Sequence, residues 1–351
     1  MITKKTCGIK RIFAGLLMIL MAVSLTGCQS PSHLYTSSIF AMNTIMELQI
    51  GGLRDYTPDA EDIIRSLEKK LAVTSKDSEI AVLNNDKQAV MSAQVAEIIQ
   101  GALKVCDRTD GALDITIYPV LKEWGFTTGE YNVPLDEDIQ TLLENVDYRN
   151  VEIDWDADPG PVVTIPSGVQ VDLGSVAKGY TGYYIAGYLK EMGVQNALLN
   201  LGGNVQCIGT KPNGDKWKVA IKSPFEDSKT GVFGVIAADD VAIITSGGYE
   251  RYFERDGEIY WHILDPDTGK PAKSGLSSVT IVGKDGLVCD GMSTALFVKG
   301  LDEAIEIWRE SDDFEAVFIT EEGEAYVTEG LAADFSLSAE YHDAPLQVIG
   351  R

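Results

Sequence analysis

Between Ala197 and Lys284 the sequence sets down one strand after another. "ALLNLGGNVQCIG" is an apolar strand, a Gly-Gly bend and a second strand. "WKVAIKSP", "GVFGVIAADDVAIITSG", "RYFERDGEIYWHILDP" and "LSSVTIVGK" follow as consecutive strands, mostly joined as hairpins. Helical spacing surrounds this run. "YTPDAEDIIRSLEKKLAV" carries Ile63, Ile64, Leu67 and Leu71 on one face, "SEIAVLNN" is a shorter helix, and "SAQVAEIIQGALKVCDRTDG" is amphipathic and closed by Gly111. A helix is predicted from about Val176 to Met192, stopped by Gly193, and another across "CDGMSTALFVKGLDEAIEIW". "SSIFAMNTIMELQIGG" begins the body as a β-rich run, short strands are predicted around Val162–Ile165 and Val169–Val171, and "FEAVFITEEGEAYVTEG" reads as a final hairpin. The acidic, Pro-containing interval from Gly129 to Gly160 holds one helical stretch, "DIQTLLENV". Strand runs broken by a few long helices predict an α+β fold, with antiparallel or mixed sheets packed against several helices.

The first residues are a targeting segment. Lys4, Lys5, Lys10 and Arg11 precede an apolar run, Ile12 to Leu25, that is short for a membrane span of about 20 residues. "LTGC" then resembles a bacterial lipobox, so residues 1–27 read as a signal peptide and Cys28 as the lipid-attachment residue. Residues 28–38 read as a polar tether, and 39–351 as one domain or two intimately packed subdomains. The expected location is the bacterial cell membrane, lipid-anchored and facing outside the cytoplasm. Beyond Cys28 only Cys106, Cys207 and Cys289 remain, scattered and without CxxC spacing, which suggests neither a disulfide framework nor a zinc site. The signal holds four cations, leaving 25 Lys and Arg against 53 Asp and Glu. That balance argues against nucleic acid as partner, and against electrostatic adhesion to anionic lipid.

Several short stretches carry polar groups suited to chemistry. In "VQVDLGSVAKGY" a strand ends at Asp172, Gly174 permits close backbone approach, Ser175 suits an N-cap and Lys178 adds charge. Helix N-termini present free N–H groups to anions, yet the spacing is neither GxxxxGK[ST] nor GxGxxG. Alone, the stretch reads first as a structural strand-to-helix turn. "NLGGNV" is a second glycine-rich bend, and "AIITSGGYERYF" offers Ser246, Tyr249 and Arg251 as polar contacts. His262, in "YWHILDPDTGKP", is the histidine inside the body, where imidazole suits proton transfer near neutral pH. In "CDGMSTA", Asp290 and Thr294 share a helix face and offer hard oxygens of the kind magnesium takes, or else a cap and a surface threonine.

In this order, with "FAMNT", "SEIAVLN" and "TDGALDITIYPVLKEWGF" ahead of them, these pieces resemble the FAD:protein FMN transferase family, the ApbE-type flavin transferase lipoproteins. The resemblance runs from about Phe40 to about Gly300. It implies an enzyme that splits FAD at its pyrophosphate, releases AMP and joins FMN to a Thr or Ser hydroxyl of an extracytoplasmic redox protein, with Mg2+ as cofactor. It further implies Ser175, Asp290 and Thr294 as metal ligands and Met42, Ala112, Leu113, Asp114, Asp172, Lys178, His262 and Ile263 as flavin-nucleotide contacts. His262 is implied to assist transfer by orienting phosphate or removing the hydroxyl proton. The implied partners are FAD and an acceptor flavoprotein of an electron-transfer system. An FAD pyrophosphatase that releases FMN and AMP shares the same residues, and a non-catalytic flavin-binding lipoprotein is the alternative from another class. Two positions depart from the family. Asn43 stands where glycine is usual, and asparagine accepts the positive φ that a glycine there serves. Thr74 stands near a place where several relatives carry an aromatic ring.

Overall fold

The computed structural model describes residues 33–351. The signal segment and Cys28 lie outside the described residues. The part of the predicted tether that is described differs from expectation: from His33 the chain is already strand, β1 (His33–Ala41). Ile39 and Ala41 enter the core while Phe40 between them and Ser38 before them face solvent, an alternation an edge strand tolerates. Residues 34–351 form one compact unit.

Met42 and Asn43, with φ of 48° and 60°, turn β1 into β2 (Thr44–Gly52). Two successive residues at positive φ are what the commonest tight hairpin turn requires, so the asparagine in the usual glycine place keeps the bend. Helices α1 (Thr57–Leu71), α2 (Glu79–Asp86) and α3 (Ala93–Arg108) follow, with β3 (Gln88–Val90) between the last two. Then come α4 (Tyr118–Glu123), α5 (Asp136–Leu143), β4 (Glu152–Asp154), β5 (Val162–Thr164) and α6 (Ala177–Glu191). The strand region comprises β6 (Ala197–Asn200), β7 (Val205–Ile208), β8 (Trp217–Lys222), β9 (Val232–Ala238) and β10 (Ala242–Gly247). It continues through β11 (Tyr252–Arg255), β12 (Glu258–Trp261), β13 (Leu264–Asp265), β14 (Lys270–Pro271) and β15 (Leu276–Gly283). The chain closes with α7 (Gly286–Lys299), α8 (Leu301–Arg309), β16 (Phe314–Thr320), β17 (Ala325–Thr328), β18 (Phe335–Leu337) and β19 (Leu346–Ile349).

Among the described residues the main sheet has nine strands, in the order β1-β2-β6-β7-β10-β15-β16-β17-β19. β19 lies parallel to β17 while β6, β7, β10, β15 and β16 pair antiparallel with their neighbours, which makes the sheet mixed. Period-two alternation decides its two faces. Ile243, Val282, Val317 and Ile319 join the core shared with the small sheet β18-β9-β8, together with Val205 and Cys207. Ile244, Ile281, Ala316 and Phe318 point the other way, into a core with α3, α7 and α8. The positions of β7 and β10 on that helix face are set by the same count, and Ser246 and Gln206 fall on it. α7 is buried nearly all round, as a helix at the centre of a domain must be. Cys106, Cys207 and Cys289 are buried and unpaired.

Two expectations fail for tertiary reasons. Val169–Val171 is extended but joins no sheet. Instead Asn84 brackets Val171 with its carboxamide, donating from Nδ2 to the carbonyl (2.8 Å) and accepting its N–H at Oδ1 (2.6 Å). The hairpin β16–β17 forms as predicted but does not end the fold, since β18 pairs with β9 and β19 with β17.

Candidate active site

The site is built where α6 and α7 cross. A Cβ on Gly179 would lie 2.1 Å from the Gly286 carbonyl oxygen and 2.6 Å from the Asp290 Cβ, and one on Gly286 would lie 2.2 Å from the Gly179 carbonyl oxygen. Only two glycines allow this approach. It brings Asp290 onto the first turn of α6, where Oδ2 accepts the Gly179 N–H at 2.8 Å. The sequence predicted Ser175 as the N-cap of this helix. The cap position is Val176, which offers no side-chain bond, and the carboxylate from α7 takes up a free N–H instead. Burial raises the pKa of Asp290, while Lys178 and the Gly179 N–H pull it down.

Thr294 lies one turn further along α7. Its hydroxyl is 3.2 Å from Ser246 Oγ, and Ser246 Oγ is also 2.8 Å from Ser293 Oγ. β10 therefore holds this face of α7 through hydroxyls. Asp290 and Thr294 offer a carboxylate and a hydroxyl, both hard oxygens. Among the described residues no cluster of three or more His, Cys, Asp or Glu surrounds them. That donor set fits magnesium, which keeps several waters and takes phosphate oxygens rather than demanding an all-protein cage.

A second group converges from the opposite side. Asp172 Oδ1 accepts the Gly174 N–H at 2.8 Å, and burial raises its pKa against the pull of that bond and of the Arg251 cation. His262 follows β12 directly and is tied to Arg251: its backbone N–H donates to the Arg251 carbonyl at 3.1 Å, and Nδ1 lies 3.1 Å from the same oxygen. A carbonyl only accepts, so Nδ1 carries the proton and Nε2 is the bare nitrogen. Burial pulls the imidazole pKa down to about 3, assisted by the cations of Arg251 and Lys178 and opposed by the bond to the Arg251 carbonyl. A satellite core of Trp124, Phe126, Phe253 and Leu264 supports this segment, with Phe126 edge-on to His262 at 6.3 Å. Ile263 points into the main core. Lys178 acts electrostatically on both Asp290 and His262 and so joins the two groups into one site.

The neutral imidazole gives a direct expectation. The chain has three histidines, so nitrogen-15 imidazole spectra should resolve His262 as an Nδ1–H tautomer that stays uncharged between pH 8 and 5. The sign follows from its depressed pKa. His262 favours the folded state above its unfolded value near 6.5, and that contribution fades as pH falls from there toward 3. A His262 resonance that protonates near pH 6.5 would contradict the geometry.

The remaining predicted residues border this centre. Met42 donates its N–H to Glu68 Oε1 at 2.5 Å, and a Cβ on Gly202 would meet Thr44 Oγ1 at 2.2 Å, so the hairpin tip abuts the "NLGG" bend. Ala112 and Leu113 are buried, and Leu113 reaches α7 within 3.1 Å of where Gly291 would carry a Cβ. Asp114 is also buried, but its carboxylate is engaged inside the fold. It accepts from Thr116 N at 2.7 Å, Thr116 Oγ1 at 2.6 Å and Tyr148 N at 3.0 Å. The structure adds Arg251, Ser246 and Asn204 to the site. Arg251 and Ser246 were legible as polar residues in a glycine-rich bend. Asn204 carried only the signal of an amide at the head of an apolar strand.

Most of the chain is similar to known proteins. The model of the ApbE family matches residues 42–318. The FAD:protein FMN transferase of Haemophilus influenzae is 28% identical over 92% of this chain and 97% of its own length. That of Vibrio cholerae is 31% identical over 81% of this chain and 86% of its own. Among solved structures, the ApbE protein of Thermotoga maritima superposes with a TM-score of 0.78 at 30% identity, covering 86% of this chain and 99% of that one. The flavin transferase ApbE of Vibrio cholerae gives 0.77 at 25% identity, covering 87% and 100%.

Proposed function

Because this chain belongs to the ApbE family, we propose that it is an FAD:protein FMN transferase, which moves FMN from FAD to a Thr or Ser hydroxyl of a protein and releases AMP. The observation that carries this reading is the convergence of the first turn of α6, a buried carboxylate and a histidine tethered through Nδ1 around Lys178. The Lys178 ammonium in the first turn of α6 suits the pyrophosphate of FAD. Asp290 and Thr294, with Ser175 as a third oxygen, would hold Mg2+. When bound, such an ion neutralises charge that builds on the departing phosphate.

The residues of the chain have distinct tasks in this reaction. The bond between the FMN phosphorus and the bridging oxygen breaks, and AMP leaves with that oxygen. The acceptor hydroxyl oxygen forms the new bond to phosphorus, and its proton passes by way of His262 Nε2 to the phosphate of the departing AMP. The Arg251 carbonyl keeps Nδ1 protonated, so the acceptor nitrogen faces away from it. Outside the described residues, we assign Cys28 as a lipid-anchored N-terminus that holds the enzyme at the outer face of the cytoplasmic membrane, near an acceptor in an electron-transfer complex. Labelling cells with palmitate would leave the protein unlabelled if that assignment is wrong.

Mature protein incubated with FAD, Mg2+ and a flavoprotein domain from such a complex is expected to raise the mass of the acceptor by one FMN, with one AMP formed per attachment. AMP formed at the same rate without acceptor, and no mass gain, would instead make the chain an FAD pyrophosphatase. Tight flavin retention with no AMP at all would make it a carrier.

A further inference from the structure

Two buried amides, Asn204 just before β7 and Gln206 within it, each have an atom without a partner. Gln206 Oε1 accepts no hydrogen bond, and Asn204 Nδ2 donates none. Their neighbours Val205 and Cys207 enter the apolar core on the other face. We propose that Asn204 is a ligand-binding residue of the transfer site, whose Nδ2 donates to an oxygen of the dinucleotide's pyrophosphate. This rests on the flavin-transfer reading above.

The bend before β7 fixes where the amide goes. The Leu201 N–H donates to the Asn204 carbonyl at 2.8 Å, and the Gly203 N–H donates to Asn200 Oδ1 at 2.9 Å. Gly202 and Gly203 adopt φ of 73° and 98°, and Gly202 is wedged against Thr44. The amide is thus held, 95% buried by the residue's 5% exposure, beside the Asp290 carboxylate and short of hydrogen-bond geometry with it. A buried donor left unpaired is destabilising, and an apolar side chain of the same size would relieve it. Retaining an amide there makes sense when a ligand oxygen completes it. The Asp290 carboxylate already takes the Gly179 N–H, whereas Asn204 Nδ2 is unpaired and Lys178 stands within electrostatic reach, so an oxygen entering this corner meets one open donor and a cation. That environment selects an anionic oxygen, and in FAD those oxygens belong to the pyrophosphate.

The test compares wild type with Asn204→Leu, which keeps the volume and deletes the donor. FAD affinity is read from flavin fluorescence in the presence of Mg2+, and inorganic pyrophosphate is titrated as a competitor that lacks both rings. The variant is expected to bind both at least tenfold more weakly while its Tm equals or exceeds that of the wild type. A smaller loss for either ligand overturns the assignment, because the donor then does not meet the pyrophosphate. A lower Tm overturns it too, because the amide then serves the fold. Should leucine disturb the bend so that no folded protein is obtained, Asn204→Ala deletes the same donor without the branched bulk and must show the same loss. Wild type that neither binds FAD nor releases AMP would overturn the flavin-transfer reading itself, whereas an active wild type with an unaffected variant overturns the role of Asn204 alone.

Discussion

Asp290→Asn is expected to reduce AMP formation from FAD by about a thousandfold, the scale of losing a principal charge-stabilising group from an active site, and to raise the melting temperature at neutral pH. The two effects share one cause. Burial raises the carboxylate's pKa above its unfolded value, so this group favours the folded state only below the unfolded pKa near 3.8. Its contribution is lost as pH rises through the folded value. Ionising this carboxylate therefore costs the folded protein stability, and a neutral side chain in its place avoids that cost. Asparagine keeps an oxygen acceptor for the Gly179 N–H while removing that charge. Thermal melts and an AMP assay on the same preparation check both halves. Activity within tenfold of wild type would remove Asp290 from the chemistry. A lower melting temperature would mean that its charge serves the fold.

Gly179→Ala is expected to damage stability and activity together. The added methyl meets backbone at 2.1 Å as well as the Asp290 Cβ at 2.6 Å, and a carbonyl oxygen of a buried helix has nowhere to retreat. Overpacking of this kind costs about 1–3 kcal/mol, against a helix-propensity gain of up to about 1 kcal/mol. α6 and α7 must separate, and a displacement near 1 Å at a reacting centre lowers rates on the order of a hundredfold. Gly187 is the matched control. It lies in the same helix, with nothing within 4 Å of its would-be Cβ. Gly187→Ala should be neutral or stabilising by up to about 1 kcal/mol and leave activity unchanged. Urea unfolding of the two variants decides the matter: equal midpoints would mean that the crossing is not as tight as the geometry makes it.

The elements that local periodicity describes were legible. α6 begins at Ala177 and ends at Glu191, one residue inside each predicted bound, and the predicted run of strands forms, with hairpins at β8–β9 and β11–β12. The site pieces were legible as motifs, and their order carried the family. What local reading could not reach depends on partners distant in the chain. Val169–Val171 looks like a strand because it is apolar, but its hydrogen bonds go to Asn84, 87 positions earlier. Ser175 looks like a cap because serine caps well locally, but Asp290 does that work from 111 positions away. Asp114 is an acid in a motif, and only the folded chain shows that Thr116 and Tyr148 occupy its oxygens. The edge strand β1 was hidden by its serines, because polar residues on a half-solvated strand resemble a linker.

The bond between Gly179 and Asp290 also sets a timetable. It closes across a separation of 111 positions that spans the central strands β6 to β15, and contacts of such separation form slowly. As the chain is made from its N-terminus, α6 emerges long before the carboxylate that will meet it. A truncated chain ending near residue 280 holds the start of α6 without the carboxylate that meets it, so the crossing that builds the site waits for α7.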